Sequence, residues 1–274
     1  MGATDEADAA QAVRQMFDSI APRYDLLNHL LSANIDRLWW RRAALRFRDV
    51  LDRPDAAILD ICCGTGDLTM ALLKLRPPGA RPVLAADFAP AMLRRGAQKF
   101  GRRTGLGRGD RGKLEAPYAI PVEADALHLP LRPQSLDLIV TAFGFRNLAN
   151  YEAGLAEFYR TLKPGAQLGI LEFSEPGGLM GKAYALYFRR VLPAIGRLIC
   201  GKDGPYNYLP TSVGNFPAPG ELLGMMRAAG YVACTWQPYT FGIAGLFTAI
   251  RPEGNSGASG AGPASLDAVE LNRA

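Results

Sequence analysis

The chain has 274 residues, of which 49% are hydrophobic and 21% charged, and this is enough apolar sequence for one large α/β domain. The net charge is +5, but the basic stretch 94–113 contains a single aromatic residue, Phe100. It lacks the stacking platform of a nucleic-acid-binding surface, so we expect no nucleic acid partner. The four cysteines form no Cys-x-x-Cys pair, so we expect buried, reduced thiols and no metal site.

The N-terminal part of the chain is predicted to be helical. Residues 1–8 are polar and acidic, unlike a secretory signal, and are predicted to be a flexible N-terminus. Residues 9–50 carry apolar side chains at three- and four-residue spacing, with breaks near Pro22 and at 32–34. This pattern predicts a cover of two or three helices.

A regular alternation of strands and helices follows the cover. The predicted strands are Ala57–Cys62, Pro82–Ala86, Tyr118–Val122, Leu136–Ala142 and Gln167–Phe173. The predicted helices are Asp67–Leu75, Pro90–Phe100 and Tyr151–Leu162. Strands that alternate with helices predict a parallel sheet covered on both faces, which is an α/β, Rossmann-like architecture.

The alternation stops at residues 177–210. The amphipathic segment Leu179–Cys200 within them is predicted to be a substrate lid, with an ordinary packed helix as the alternative. A helix at Pro219–Ala229 and a hairpin within Tyr231–Ile250 then complete a single domain over residues 9–252. Polar residues within that last apolar run favour a hairpin over a membrane span. Residues 253–274 are rich in Gly, Ser and Ala and predict a disordered tail.

The stretch "ILDICCGTGDLTMALL" (Ile58–Leu73) places two glycines, Gly64 and Gly66, between a strand and a helix. Such a turn lets a ligand approach the backbone at the carboxyl end of the strand. Asp87 ends the next strand, where a carboxylate suits the hydroxyl groups of a ribose. The turn therefore predicts a nucleoside cofactor, either a nicotinamide dinucleotide or S-adenosyl-L-methionine.

Three details favour S-adenosyl-L-methionine. Thr69 occupies the position where a dinucleotide fingerprint has its third glycine. Asp60 and Asp67 put negative charge where a pyrophosphate would lie, whereas carboxylates suit an ammonium and a sulfonium group. Asp125 follows the third strand and can accept from an adenine amino group, with the Ala126 backbone beside it.

Several segments resemble the ubiquinone/menaquinone biosynthesis C-methyltransferase family. They are "LDICCGTGDLT", "ADFAPAML", "DALHLPLRPQSLDLIVTAFGFRNLANYEAGLAEFYRTLKPGAQLGILEFSEP" and "FDSIAPRYDLLNHLLSANIDRLWWRR". The resemblance runs from Val13 to Arg251 in matching order. It implies a seven-stranded class I methyltransferase sheet, S-adenosyl-L-methionine as cofactor, and methylation of a ring carbon in a prenylated quinol.

The resemblance also implies functional residues. The cofactor contacts carry over onto Thr69, Asp87 with the adjacent Phe88, and the Asp125-Ala126 pair. Relatives often have Ser after the fourth strand, where this chain has Ala142 beside Thr141. The acceptor that the resemblance favours is demethylmenaquinol. The benzoquinol intermediate of ubiquinone synthesis, or another hydrophobic phenol, is the alternative.

Candidates for catalysis come from "FGFRN" at the end of the fourth strand. Arg146 could hold a phenolate and lower the pKa of the phenol, with Asn147 as a second donor. The alternative for Arg146 is an ion pair with an acidic residue that holds the loop. The two histidines, His29 and His128, are interpreted as structural, turn or surface residues. Four further residues are candidates for lining the substrate site: Tyr24, Asp25, Tyr206 and Tyr208.

A lipid-soluble acceptor suggests where the protein works. We expect a cytoplasmic protein with peripheral contact at the inner face of the cell membrane, through cations of the Leu179–Cys200 segment. A homodimer is a further expectation, although no feature of the sequence decides the oligomeric state. A nicotinamide oxidoreductase and a non-catalytic binding module are the competing classes of function.

Overall fold

The computed structural model describes residues 34–104, 118–174, 176 and 212–253. Several predictions fall outside these ranges. They concern Tyr24, Asp25, His29, Tyr206, Tyr208, most of the helical cover, the lid at 177–210, residues 105–113 of the basic stretch and nearly all of the tail.

The described residues form one seven-stranded sheet with the order β3-β2-β1-β4-β5-β7-β6. The strands are β1 Ile58–Ile61, β2 Val83–Asp87, β3 Ala119–Glu123, β4 Leu136–Ala142, β5 Leu162–Phe173, β6 Val232–Tyr239 and β7 Ala244–Ile250. Strands β1 to β5 pair in parallel, and β7 is antiparallel to both β5 and β6. The predicted α/β, Rossmann-like sheet of seven strands is confirmed.

Helices connect the strands as the alternating pattern predicts. They are α1 Asp36–Arg46, α2 Arg48–Leu51, α3 Asp67–Leu73, α4 Pro90–Thr104, α5 Tyr151–Thr161 and α6 Pro219–Ala228. Short 3-10 turns lie at Phe145–Asn147 and Thr240–Gly242. None of the described helices is long and apolar enough to cross a membrane.

The predicted bounds differ from the observed ones chiefly at β5. This strand begins at Leu162, five residues before the predicted start, because Leu162 pairs with Leu136 ahead of a register shift. The Lys163-Pro164-Gly165 sequence, which is typical of a turn, lies inside the strand, with Gly165 at φ 76°. Pairing with a neighbouring strand overrides the local turn signal here.

The core lies on both faces of the sheet. Ile58 packs in one cluster with Trp39, Phe47 and Leu51, whereas the next strand residue, Leu59, packs in the other. Alternate residues of a strand point to opposite faces, so the side chain of Asp60 lies on the same face as Ile58. Both clusters consist of residues with almost no exposed surface, which fixes the strand ends where the functional residues lie.

The topology brings distant segments to one edge of the sheet. Strands β1 and β4 are neighbours, so the strand order reverses between them, and ligands of open α/β sheets bind at such a point. Because β7 runs antiparallel, Ala244 at its start pairs with Phe173 at the end of β5. The β6–β7 turn therefore lies at the same edge as the carboxyl ends of β4 and β5.

Candidate active site

The turn after β1 has the conformation that its glycines predict. Gly64 and Gly66 have φ angles of 56° and 83°, in the left-handed region that favours glycine. A Cβ atom on Gly66 would lie 2.5 Å from the ring of Phe100 on α4. Cys62 also has a positive φ, 55°, which is unusual for a residue with a side chain. The turn is thus held in a strained, close-packed form at the amino end of α3.

Asp60 and Thr69 form a buried pair beneath this turn. The Thr69 hydroxyl donates to Oδ2 of Asp60 at 2.5 Å, and both residues have no exposed surface. Burial, opposed by the Thr69 hydrogen bond, raises the pKa of Asp60 to about 7. Oδ1 of Asp60 has no hydrogen-bond partner in the described part of the chain. Thr69 therefore positions Asp60. The predicted direct contact between Thr69 and the cofactor stays a prediction.

Asp87 joins the end of β2 to the same turn. Its Oδ2 accepts from the Gly64 amide at 2.7 Å, and its Oδ1 accepts from the Ala89 amide at 2.8 Å. The residue is partly exposed, as is its neighbour Phe88. The carboxylate is therefore fixed by two backbone donors at the strand end where a ribose was predicted to bind.

Asp67 has a different environment from the one that its charge suggested. Its carboxylate accepts from Nζ of Lys99 at 3.0 Å, and the same ammonium group donates to the Thr65 hydroxyl at 3.0 Å. A cation on α4 therefore compensates the charge of Asp67, and the prediction that this carboxylate disfavours a pyrophosphate stays a prediction. Asp60 and Asp87 remain as the acidic residues of the turn.

Asp125 and Ala126 lie in a tight loop after β3. Oδ1 of Asp125 accepts from the Leu127 amide at 2.9 Å, and its Oδ2 lies 3.1 Å from Nδ1 of His128. The His128 side chain is 83% exposed, which confirms the interpretation of His128 as a surface residue of a turn. Ala126 is buried at 6% exposure and packs in the core.

Glu157 on α5 supports the same loop, and no sequence motif indicated it. Its Oε1 accepts from the Leu129 amide at 2.6 Å. Arg160 pairs with Glu157 at 2.7 Å and donates to the carbonyl oxygens of Leu129 and Leu131. Two side chains of one helix thus hold the backbone that follows Asp125.

The end of β4 lies directly beside the glycine turn. A Cβ atom on Gly144 would lie 2.4 Å from Cβ of Cys62, so only glycine fits there. Ala142 is partly exposed, whereas Thr141 is buried with a hydroxyl that has no partner in the described residues. Phe143 has a φ of 56°, which turns the chain sharply after the strand.

Arg146 is engaged in a buried ion pair. Its Nη1 lies 3.0 Å from Oε2 of Glu172, and the two side chains are 6% and 0% exposed. Nη1 also donates to the Phe143 carbonyl, and Nε lies 3.4 Å from the Ser212 hydroxyl. Arg146 therefore forms the ion pair that was the alternative to a catalytic role, and it holds the loop through an acidic partner. The prediction that its guanidinium directly holds a phenolate is not what this geometry favours.

Sequence reasoning missed Glu172, although a signal was present. It is a carboxylate inside the apolar strand "QLGILEF", where each neighbour is buried or nearly so. A charge inside a buried parallel strand requires a compensating charge, so a search for its partner would have led to the loop after β4.

Three aromatic rings cluster at the same strand ends. The ring centroids of Phe143 and Phe173 lie 4.4 Å apart, and Trp39 of α1 lies 5.8 Å and 6.1 Å from them. Nε1 of Trp39 donates to the Thr240 hydroxyl of the β6–β7 turn at 2.8 Å. Phe143 and Phe173 are only partly buried. An apolar, aromatic surface thus adjoins the polar turn.

The thiols have no geometry for chemistry. Cys62, Cys63 and Cys234 are free, and burial raises the pKa of each thiol, so the thiolate is disfavoured. Cys200 lies outside the described residues. Among the residues that the structure describes, no group of three His, Cys, Asp or Glu side chains is placed to hold a metal ion.

A family model for the ubiE/COQ5 methyltransferase family matches residues 4–251. The chain belongs to this family. This methyltransferase is 48% identical to a demethylmenaquinone methyltransferase of Thermus thermophilus, over 86% of this chain and all of the relative. It is 45% identical to the Deinococcus radiodurans protein of the same name, over 89% of this chain and 94% of that one. A ubiquinone/menaquinone biosynthesis C-methyltransferase UbiE of Geobacter sulfurreducens is 36% identical over 88% and 89%.

Solved structures share the fold of this methyltransferase. An SAM-dependent methyltransferase of Thermotoga maritima aligns with a TM-score of 0.57 at 16% identity, covering 87% of this chain and 99% of the other. The [4+2]-cyclase SpnF aligns with a TM-score of 0.63 at 17% identity, over 89% and 97%. Because a cyclase shares the fold, the sheet alone does not determine the reaction. The family relationship, in contrast, confirms the predicted resemblance and the methyltransferase class.

Proposed function

We propose that the chain transfers a methyl group from S-adenosyl-L-methionine to a ring carbon of a prenylated quinol, with demethylmenaquinol as the acceptor. The observation that carries the proposal is the juxtaposition of an acidic glycine turn and an aromatic cluster at one sheet edge. The choice of acceptor is supported by the two relatives at 48% and 45% identity, which are named demethylmenaquinone methyltransferases.

The residues at the glycine turn fit this cofactor. Asp87 would take the ribose hydroxyls with Phe88 beside it, and Asp125 with Ala126 would take the adenine. Gly64 and Gly66, with φ angles of 56° and 83°, shape the backbone of the turn along which the methionine portion would lie. Asp60 has an oxygen without a partner among the described residues, and its charge favours a cationic ligand above it.

The division of labour follows from these positions. S-adenosyl-L-methionine supplies the electrophilic methyl group when it is bound. Thr69 acts from beneath the turn by fixing Asp60, since its side chain has no exposed surface. Ala142 and Thr141 end the strand that faces the transferred group, and the small side chain of Ala142 leaves room for the acceptor ring.

The aromatic cluster offers a place for that ring. A quinol ring can stack on the partly buried rings of Phe143 and Phe173, which lie at the ends of β4 and β5. Stacking there holds the acceptor carbon next to the cofactor turn, and such positioning accelerates an in-line transfer. Arg146 fixes this platform through the Phe143 carbonyl and Glu172. Asn147 on the same 3-10 turn is our candidate for a donor to the quinol oxygen.

Methyl transfer to defined acceptors tests the proposal. Purified protein is incubated with radiolabelled S-adenosyl-L-methionine and either reduced demethylmenaquinone or the demethylated benzoquinol of ubiquinone synthesis. We expect labelled product from the first acceptor, and more slowly from the second. No transfer to either quinol, with the labelled cofactor still bound, would contradict the proposal.

The benzoquinol is a second candidate acceptor because of a specific observation. The relative of Geobacter sulfurreducens, at 36% identity, carries both ubiquinone and menaquinone biosynthesis in its name. A faster rate with the benzoquinol than with demethylmenaquinol would select this alternative. We extend the proposal to a cytoplasmic protein with peripheral membrane contact, since the acceptor is itself dissolved in a membrane. The homodimer stays a prediction.

A further inference from the structure

The outward face of α1 combines apolar and cationic side chains. Leu38 and Leu45 are 49% and 41% exposed, although leucine is usually buried. They lie seven residues apart, with Arg41 and Arg42 between them, so all four share the face that points away from the core. Arg37 and Arg46 are exposed on the same helix. The one carboxylate of α1, Asp36, is buried at 3% exposure.

The tip of the β6–β7 turn lies beside α1. Phe241 is 78% exposed and has a φ of 58°, a backbone conformation that is unusual for a residue with a large side chain. Two contacts join the tip to α1. Trp39 donates to Thr240, and the guanidinium of Arg42 lies 4.7 Å from the centre of the Tyr239 ring.

We propose that this surface docks on an anionic lipid bilayer. We define the docking surface as Leu38, Leu45 and Phe241 with the arginines Arg37, Arg41, Arg42 and Arg46. Exposed apolar side chains among arginines, without an exposed carboxylate on the helix, are complementary to anionic headgroups above an acyl layer.

The docking surface is connected to the proposed acceptor site through one residue. Trp39 lies on the inner side of α1, where it contacts Phe143 and Phe173 and bonds the turn that carries Phe241. A bilayer against the outer side would therefore lie next to the aromatic cluster. This inference deepens the proposed function, because a prenylated quinol would then reach the cluster from the membrane without crossing water.

Co-sedimentation of the full chain with vesicles tests the docking surface. We expect the unaltered protein to bind phosphatidylglycerol vesicles more tightly than phosphatidylcholine vesicles, and salt to weaken that binding. Phe241→Ser should weaken binding to both vesicles about ten-fold, because one buried aromatic ring is lost. Replacing Arg37 and Arg41 together by Gln should weaken binding to phosphatidylglycerol about ten-fold or more, and leave phosphatidylcholine binding unchanged.

Matched controls lie elsewhere on the surface. Val232→Ser removes an apolar side chain that is 47% exposed at the far end of the hairpin from the turn. Arg132→Gln removes an exposed arginine from the loop before β4. Both should bind like the unaltered protein, and urea unfolding should show that all variants are folded.

Two results would overturn the docking surface. One is equal binding of the unaltered protein and Phe241→Ser to phosphatidylglycerol. The other is a dimer in light scattering that Phe241→Ser disperses, which would make this face an interface between two copies. Methyl transfer to a short-chain, water-soluble demethylated naphthoquinol separates the two proposals. Its absence in the unaltered protein contradicts the proposed function, whereas its presence without vesicle binding contradicts only the docking surface.

Discussion

Arg146 and Glu172 form an ion pair of 3.0 Å at the ends of neighbouring strands, with both side chains almost completely buried. Glu172 also accepts from the backbone amides of Arg146 and Phe173. The carboxylate therefore fixes the position of the loop after β4, and it also compensates the charge of Arg146. Because neither charged group is exposed, the pair acts as a scaffold for the aromatic cluster.

Removing the carboxylate from this pair should be costly. Glu172→Gln leaves the buried guanidinium of Arg146 without a counter-charge, and we expect the free energy of unfolding to fall by about 3 kcal/mol. Urea unfolding at neutral pH measures the change. Glu152→Gln, an exposed carboxylate on α5, is the control and should change stability by less than about 0.5 kcal/mol. A similar small loss for Glu172→Gln would show that the ion pair contributes little.

The raised pKa of Asp60 should appear in the pH dependence of stability. The group ionises near pH 3.8 when unfolded and at about 7 when folded, so the folded state binds the proton more tightly. Its contribution to stability is present at low pH and is lost as the pH rises from about 4 to about 7. Asp60→Asn removes this loss, so the variant should gain stability relative to the unaltered protein between pH 5 and pH 8.

Urea unfolding at the two pH values measures this difference, and Asp55→Asn, an exposed carboxylate, serves as the control. Parallel pH profiles for the unaltered protein and Asp60→Asn would contradict the prediction. If Asp60 also favours the cationic cofactor, calorimetry should show weaker binding of S-adenosyl-L-methionine to Asp60→Asn at pH 8.

Two glycines with similar backbone angles separate strain from steric clash. Gly66 and Gly79 have φ angles of 83° and 72°, but a Cβ atom meets Phe100 at 2.5 Å only at Gly66. Gly79 has no other atom within 4 Å of that position. Gly79→Ala should cost about 1 kcal/mol of stability, from the backbone alone. Gly66→Ala should cost about 1–3 kcal/mol more and weaken cofactor binding, because the turn must shift.

Urea unfolding and calorimetry with S-adenosyl-L-methionine measure both effects for both variants. Equal stability losses at the two glycines, with cofactor binding intact in Gly66→Ala, would show that the turn accommodates a methyl group.

The aromatic cluster should affect the acceptor and not the cofactor. Phe173→Leu removes a stacking ring, so we expect KM for the quinol to rise about ten-fold, while the Kd for S-adenosyl-L-methionine stays unchanged. Phe158→Leu, a fully buried ring in the other core cluster, is the control. It should lower stability and leave KM unchanged. Equal KM values for Phe173→Leu and the unaltered protein would remove the cluster from the acceptor site.

Local patterns were sufficient for much of the fold. The bounds of Leu136–Ala142 were predicted correctly, because an apolar run between polar turns depends on neighbouring residues alone. The start of β5 was not predicted correctly, because it depends on the pairing of Leu162 with Leu136, which lies on a different strand. The glycine turn was also readable, because the left-handed φ angles of Gly64 and Gly66 are a property of the residues themselves.

The features of the functional site also divide into those that the sequence determined and those that depend on tertiary structure. The sequence by itself determined the alternating order of strands and helices and the acidic turn, since these follow from periodicity and motif spacing, and its resemblance to a known family implied the methyltransferase class. Only the tertiary structure decided which charges are compensated and which rings meet. Lys99 pairs with Asp67, Glu172 pairs with Arg146, and Trp39 donates a hydrogen bond to Thr240, 201 residues further along the chain. Partners that are distant in sequence are selected by strand register and helix packing, and those are set by the whole core together.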